Sequence, residues 1–427
     1  MVKSLIISNF KNISQVFKVM LITELLNQYR DLVTYVMKLS GCANINKSIR
    51  NNIIEIIFLF MVIPGRINFL QLGRFGRKSE QCYRQTFERD LDWMEFNLHI
   101  SAHTFVKAKG GNRVGIAIDP SYISKAGKKT PHIGRFWSGC AGAVKHGLEV
   151  LGIGVVDADL HDCMMLRAVQ TANEKGGDND MTFFDWYAKV LTDYKTQLQR
   201  ITRNLVADSA FSKITFVEKI LAEGYQLISR LRNDAVLHYE WKGERTGKRG
   251  RPRTIGDRID YDDLDKSKME RIDIDSVDEE AYTLIAYCKS LKRKIRLVIH
   301  ILADGGHRLY FSTDTSMPGK DVIDLYRTRF QIEFNYRDAK QFTGLTHCQA
   351  RDSRKLDFAY NASFAAVNVA KALRRDFDTS LSIGRLKSMM VNAYYLERIL
   401  SRFGNSPNMT LNDKLVKELF GIAAEVA

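Results

Sequence analysis

Two short apolar runs that each close on an aspartate constrain this chain most. Residues 114–119 read VGIAID and run into Pro120-Ser121; residues 204–208 read NLVAD and run into Ser209-Ala-Phe. Runs this short, bounded by turn formers, are too brief for helices and fit buried strands. Residues 147–157 (GLEVLGIGVVD) and 163–171 (CMMLRAVQT) are further strand candidates. Residues 181–198 carry apolar side chains at helical spacing, and 213–224 form a second such segment. Several strands, a helix, a strand and a helix predict an α/β layer on a mixed sheet.

The flanking regions read differently. Up to about residue 100 the pattern is helical, with apolar residues at three- and four-residue spacing over 16–39 and 47–62. Pro64-Gly65 breaks it, and Arg66, Arg74, Arg77 and Lys78 follow. Ser79 is a helix cap for a segment carrying Arg84 and Arg89. This region reads equally as a small DNA-binding domain or as a bundle with a solvated basic face. Between 225 and 315, strand-like runs (QLISRLR, AVLHYEW, AYTLIAYCK, IRLVIHIL, RLYFST) surround a polar stretch from 243 to 280. Helical pattern returns over 319–342, 355–375 and 382–403. The expected division is a helical N-terminal domain (1–105), the first part of an α/β core (106–224), a β-rich insertion (225–318), the end of the core (319–375) and a helical C-terminal region (376–427).

Charge narrows the partner. Among 427 residues, 64 Lys and Arg stand against 49 Asp and Glu, a net +15 that favours a polyanion. Lipid is disfavoured, because the most apolar run (53–63, IIEIIFLFMVI) is interrupted by Glu55 and is shorter than the ~20 residues a membrane helix needs. With no secretory leader pattern at the N-terminus, the expected location is the cytoplasm, associated with the nucleoid. Six scattered cysteines include no CxxC pair, so neither disulfides nor a zinc site is expected.

The acids at 119 and 208 acquire chemical meaning from a third segment, residues 326–340. Cleaving a phosphodiester with water needs an activated nucleophile and a stabilised leaving oxygen, which two Mg²⁺ ions about 4 Å apart supply. Such ions take hard oxygen ligands, so a few carboxylates on rigid elements suffice. On a continuous helix at about 100° per residue, Tyr326, Arg329, Glu333 and Lys340 share an arc of about 60°. One edge would then present an acid between phosphate-gripping cations. A solvated face laced with ion pairs has the same pattern.

The spacing Tyr326-(2)-Arg329-(3)-Glu333-(6)-Lys340 resembles the Tyr-Arg-Glu-Lys signature of the fourth insertion-sequence family of bacterial DDE transposases. IAIDPS at Asp119, VADSAF at Asp208 and FNYRDAKQFTGLTHCQAR after Glu333 are also similar to that family, over roughly residues 110 to 375. The resemblance implies a ribonuclease H-like core interrupted by a β-rich insertion. It implies Asp119, Asp208 and Glu333 as the catalytic triad holding two Mg²⁺ ions, with Mn²⁺ as a substitute. It implies Tyr326, Arg329 and Lys340 as contacts to DNA phosphates. The partners it implies are double-stranded DNA, both terminal inverted repeats and target, and a second copy of the chain in a synaptic homodimer. The implied activity is metal-dependent strand cleavage and strand transfer by cut-and-paste through hairpin ends.

A secondary signal is Lys248-Arg-Gly-Arg-Pro-Arg253, in which Arg249, Arg251 and Arg253 could lie in a narrow minor groove. A flexible basic loop is the plainer reading. Two rival functions use the same residues: a ribonuclease H-like nuclease without strand transfer, and an inactive transposase-derived DNA-binding protein.

Overall fold

The computed structural model describes residues 22–41, 45–107, 109–172, 181–241, 243, 255–274, 276–377 and 380–402. Arg249, Arg251 and Arg253 lie outside them. Five helices come first: α1 (Ile22–Leu39), α2 (Lys47–Val62), α3 (Phe69–Phe75), α4 (Glu80–Thr86) and α5 (Trp93–Lys107). Ser79 caps α4 by accepting a hydrogen bond from the Cys82 N–H, as expected, while Arg89 falls beyond that helix.

The core strands are β1 (Val114–Ser124), β2 (Gly134–Ser138), β3 (Ala143–Asp157), β4 (Asp162–Gln170), β5 (Asn204–Ala207) and β6 (Gln226–Leu231). Helices α6 (Phe183–Asp193), α7 (Lys195–Leu198) and α8 (Ile214–Ala222) are interleaved with them. Strands β4, β3, β1, β5 and β6 lie side by side; β3 is antiparallel to β1 and β4, whereas β1, β5 and β6 run parallel. This mixed α/β arrangement is compatible with a ribonuclease H-like core. The residues after β6 do not form a separate sheet. Strands β7 (Leu237–Glu240), β8 (Ile255–Arg258), β9 (Glu270–Ile272), β10 (Glu280–Cys288), β11 (Arg293–Ile301) and β12 (His307–Ser312) continue the same one, because β12 pairs antiparallel with β6. Strands β8 and β9 lie in the stretch that sequence pattern left polar.

Four helices complete the chain: α9 (Gly319–Thr328), α10 (Gln331–Phe342), α11 (Ser353–Asp376) and α12 (Ile383–Arg402). The sheet has two buried faces. One packs on the N-terminal helices, α6 and α8; the other packs on α9 and α10. Helix α11 is buried on almost every side and contributes to both layers, which is what an apolar circumference requires. Its Asn361 and Asn368 side chains each donate to and accept from the β4 backbone, at Ala168 and Met165. Asn97 and Asn335 add donors to the Leu166 and Cys163 carbonyls. Amide side chains thus satisfy the β4 edge where no strand pairs with it. Among the described residues, no helix is long and apolar enough to cross a membrane.

Candidate active site

Strand periodicity aims the two aspartates. On β1, Ile116 and Ile118 face the N-terminal helices, whereas Ala117 faces α9 and α10. Asp119 shares Ala117's parity and therefore points to the α9–α10 side. Val206 on β5 faces the same way, and Asp208 lies two residues on. Ile118 pairs in parallel with Ala207, so the two acids directly follow paired neighbours.

Asp119 is not at a strand end, as the apolar run led one to expect. Strand β1 continues alongside β3 to Ser124, while β5 stops at Ala207. Past Ile118, then, β1 has a strand partner on one side only, the kind of place where Pro120 is tolerated in a sheet. Asp208 does begin a turn: it caps the short 3-10 helix Ser209–Phe211 and accepts from the Ser209 N–H.

Residues 326–340 correct a second expectation. They are not one helix, so the common arc computed for a continuous helix does not apply. Helix α9 ends at Thr328 and α10 begins at Gln331. Between them the backbone stays right-handed but tightens. Phe330 N–H bonds to the Arg327 carbonyl, Ile332 to Arg329 and Glu333 to Phe330, all three residues back. Neither Gly nor Pro marks this break.

The break places Arg329 between two acids. Its guanidinium lies 3.6 Å from the Asp119 carboxylate and 3.2 Å from that of Glu333. The side chain is 11% exposed, and its Nε has no hydrogen-bond partner. Tyr326 packs its ring on Tyr310 at 5.0 Å, and the Arg329 guanidinium carbon sits 5.8 Å from the Tyr326 ring. Lys340 donates to Ser121 Oγ at 2.9 Å and lies 5.6 Å from the Tyr336 ring. Burial pushes the Lys340 ammonium below its ordinary range. For Asp119, burial is the largest influence and raises its pKa to about 7; Glu333 and Asp208 add to the rise, while Arg329 and Lys340 oppose it. The charge of Asp208 is also felt at Tyr326. Asp119, Asp208, Glu333, Tyr326, Arg329 and Lys340 thus occupy one neighbourhood on one face of the sheet.

Two supporting residues escaped the sequence reading. The Tyr336 hydroxyl donates to the Asp119 carbonyl at 2.8 Å and also lies 3.0 Å from the Val150 carbonyl. It reaches them because Gly152, directly opposite Asp119 on β3, has no Cβ; one there would collide with the tyrosine ring and hydroxyl. Tyr336 stands within the quoted run FNYRDAK and Gly152 within a strand candidate, but only their cross-sheet meeting reveals the role.

Chemically, three hard carboxylates that repel one another fit a divalent cation. Among the described residues, however, no three acidic, histidine or cysteine side chains are gathered closely enough to hold an ion in this conformation. Arg329 sits where Asp119 and Glu333 would otherwise face each other.

A family model, the transposase DDE domain, matches residues 110–369. The match spans more than half of the chain, which belongs to that family: it is a transposase, and DNA is its partner. No curated protein matches the chain.

Proposed function

We propose that this transposase belongs to the Tyr-Arg-Glu-Lys group of the fourth insertion-sequence family and moves DNA by cut-and-paste. The observation that carries this reading is Arg329, enclosed between Asp119 and Glu333, with Asp208 also acting on Asp119. Asp119, Asp208 and Glu333 are the residues that would hold divalent ions, Mg²⁺ with Mn²⁺ as substitute. Bound there, the ions would activate the attacking oxygen and stabilise the leaving one.

The chain's own cations act by positioning. Arg329 exchanges carboxylate partners for a phosphate of the transposon end, which its planar fork can grip by two hydrogen bonds. Lys340, anchored on Ser121, supplies a point charge, and Tyr326 backs Arg329 from the other side. A nick frees a 3′-hydroxyl, which attacks the opposite strand to give a hairpin end. The hairpin is reopened, and the 3′-hydroxyl then attacks target DNA. Each step is an in-line phosphoryl transfer, so alignment and charge stabilisation carry the catalysis. The acting form is a homodimer on paired inverted repeats. The strip Arg249, Arg251 and Arg253 adds minor-groove contacts to the terminal DNA.

The test is cleavage of DNA carrying the flanking inverted repeats with Mg²⁺, comparing wild type with Glu333→Ala. End cleavage by wild type, lost in the variant while DNA binding persists, supports the triad. Binding without cleavage in Mg²⁺ and Mn²⁺ alike assigns the chain to the inactive DNA-binding class. Cleavage without joining to a target assigns it to the nucleases.

A further inference from the structure

Beside the candidate site stands a hairpin that the reading above leaves unused. It is formed by β2 and the first part of β3, and residues 139–146 are all exposed. Trp137 is 61% exposed and Val144, its directly paired neighbour, 51%. Arg135 pairs with His146 two positions along, and strand alternation puts these four side chains on one face. The other face is anchored, with Phe136 buried against the Phe183 ring at 5.6 Å. The Tyr122 hydroxyl donates to the His146 carbonyl, and His146 Nε2 lies 3.0 Å from the Gly127 carbonyl, which ties the hairpin to β1 and the loop after it. The tie leads to the site, since Ser121, the residue before Tyr122 on β1, accepts a hydrogen bond from Lys340 at 2.9 Å.

The charge of this segment is one-sided. Residues 120–148 contain no Asp or Glu, while Lys128, Lys129, Arg135 and Lys145 are all exposed. Backbone phosphates complement such a surface, but phosphates alone leave an exposed indole unexplained. An indole stacks on the face of a base, and that face is accessible only where a base is unpaired. The surrounding cations then hold the phosphates on either side of it.

We propose that the β2–β3 hairpin binds an unpaired DNA strand next to the active site, with a base stacked on Trp137 and a flanking phosphate on Arg135, which shares its face. This deepens the transposase reading and rests on the candidate site being where DNA is cut.

The test measures binding of the full chain, in EDTA and low salt, to a blunt duplex and to the same duplex with a single-stranded thymidine overhang. Wild type is expected to prefer the overhang roughly tenfold, the scale of one stacked base. Trp137→Ala should abolish that preference while leaving blunt-duplex affinity unchanged, and Trp137→Phe should restore most of it. Arg135→Ala should weaken both complexes and flatten the salt dependence. An overhang preference that survives Trp137→Ala in a folded variant overturns the proposal. So does a loss of self-association on Trp137→Ala with no change in DNA binding, which would make this face a contact between copies. If wild type binds neither DNA, the transposase reading of the site falls as well; if it binds both equally, only the stacking proposal falls.

Discussion

Asp119, half-buried, and Asp162, buried, are both aspartates on strands of the same sheet, two strands apart, yet they are treated in opposite ways. Asp162 begins β4 and meets α11, where Lys371 Nζ lies 2.8 Å and Arg375 3.4 Å from its carboxylate. Burial alone would raise its pKa; Lys371, the Cys163 N–H and Arg375 outweigh that and hold it below the ordinary value. Asp119 has one guanidinium at 3.6 Å, shared with Glu333, and two further acids acting on it, and its pKa rises to about 7. One buried charge is neutralised by a permanent partner and serves the fold. The other is under-compensated, the condition in which a carboxylate gains most from an arriving cation.

The largest expected effect separates these roles. Asp119→Asn should reduce strand cleavage by roughly a thousandfold or more, the scale of several kcal/mol of lost transition-state stabilisation. Its unfolding midpoint in urea should be unchanged or higher, because a repelling charge is removed. A clear loss of stability would mean that Asp119 is a structural partner like Asp162.

Asp162→Ala should do the reverse. Removing it strands Lys371 without its carboxylate, and breaking a buried pair on one side costs about 3–5 kcal/mol. Urea unfolding reads this directly, and cleavage per folded molecule should be close to wild type. The sign with pH follows: a folded pKa below the unfolded 3.8 gives stability that is present above about pH 4 and lost below it. Asp162→Asn should therefore shallow the acid limb of the stability profile.

Tyr336→Phe tests the link between the two kinds of residue. Losing its hydroxyl removes the bond to the Asp119 carbonyl and should cost about 1–2 kcal/mol of stability, with a fall in cleavage larger than that loss explains. Equal behaviour of wild type and variant in cleavage would limit Tyr336 to packing.

A further effect, seen only as a dependence on pH, concerns Lys387 on α12, whose ammonium donates to the Phe60 carbonyl near the end of α2 and to the Phe342 carbonyl at the end of α10. Burial lowers its pKa from 10.5 to about 7. Between those values the unfolded chain binds more protons, so this residue makes stability rise with pH from about 7 to 10. Lys387→Met should flatten that rise, measured as the difference between wild-type and variant unfolding curves.

Much of the architecture was legible locally. Strands β1, β3, β4, β6, β7, β10, β11 and β12 all fall on short apolar or alternating runs, and Lys47–Val62 is a helix over the span its periodicity outlined. The weak strands β8 and β9 were not legible, because their side chains are mostly exposed or half-buried and only pairing with β7 and β10 makes them strands. The break at Arg329 was equally hidden. Its backbone angles remain helical, and what changes is which carbonyl each N–H finds.

By itself, the sequence determined the order of strands and helices, the excess of positive charge and the presence of acids just beyond apolar runs. These follow from steric periodicity and composition, which act over a few residues. Only the tertiary structure decided that Asp119 faces α9 and α10, that Arg329 bridges it to Glu333, and that Gly152 makes room for Tyr336. Each depends on groups brought together across the sheet from positions tens to hundreds of residues apart, and hydrogen bonding and charge act through space rather than along the chain.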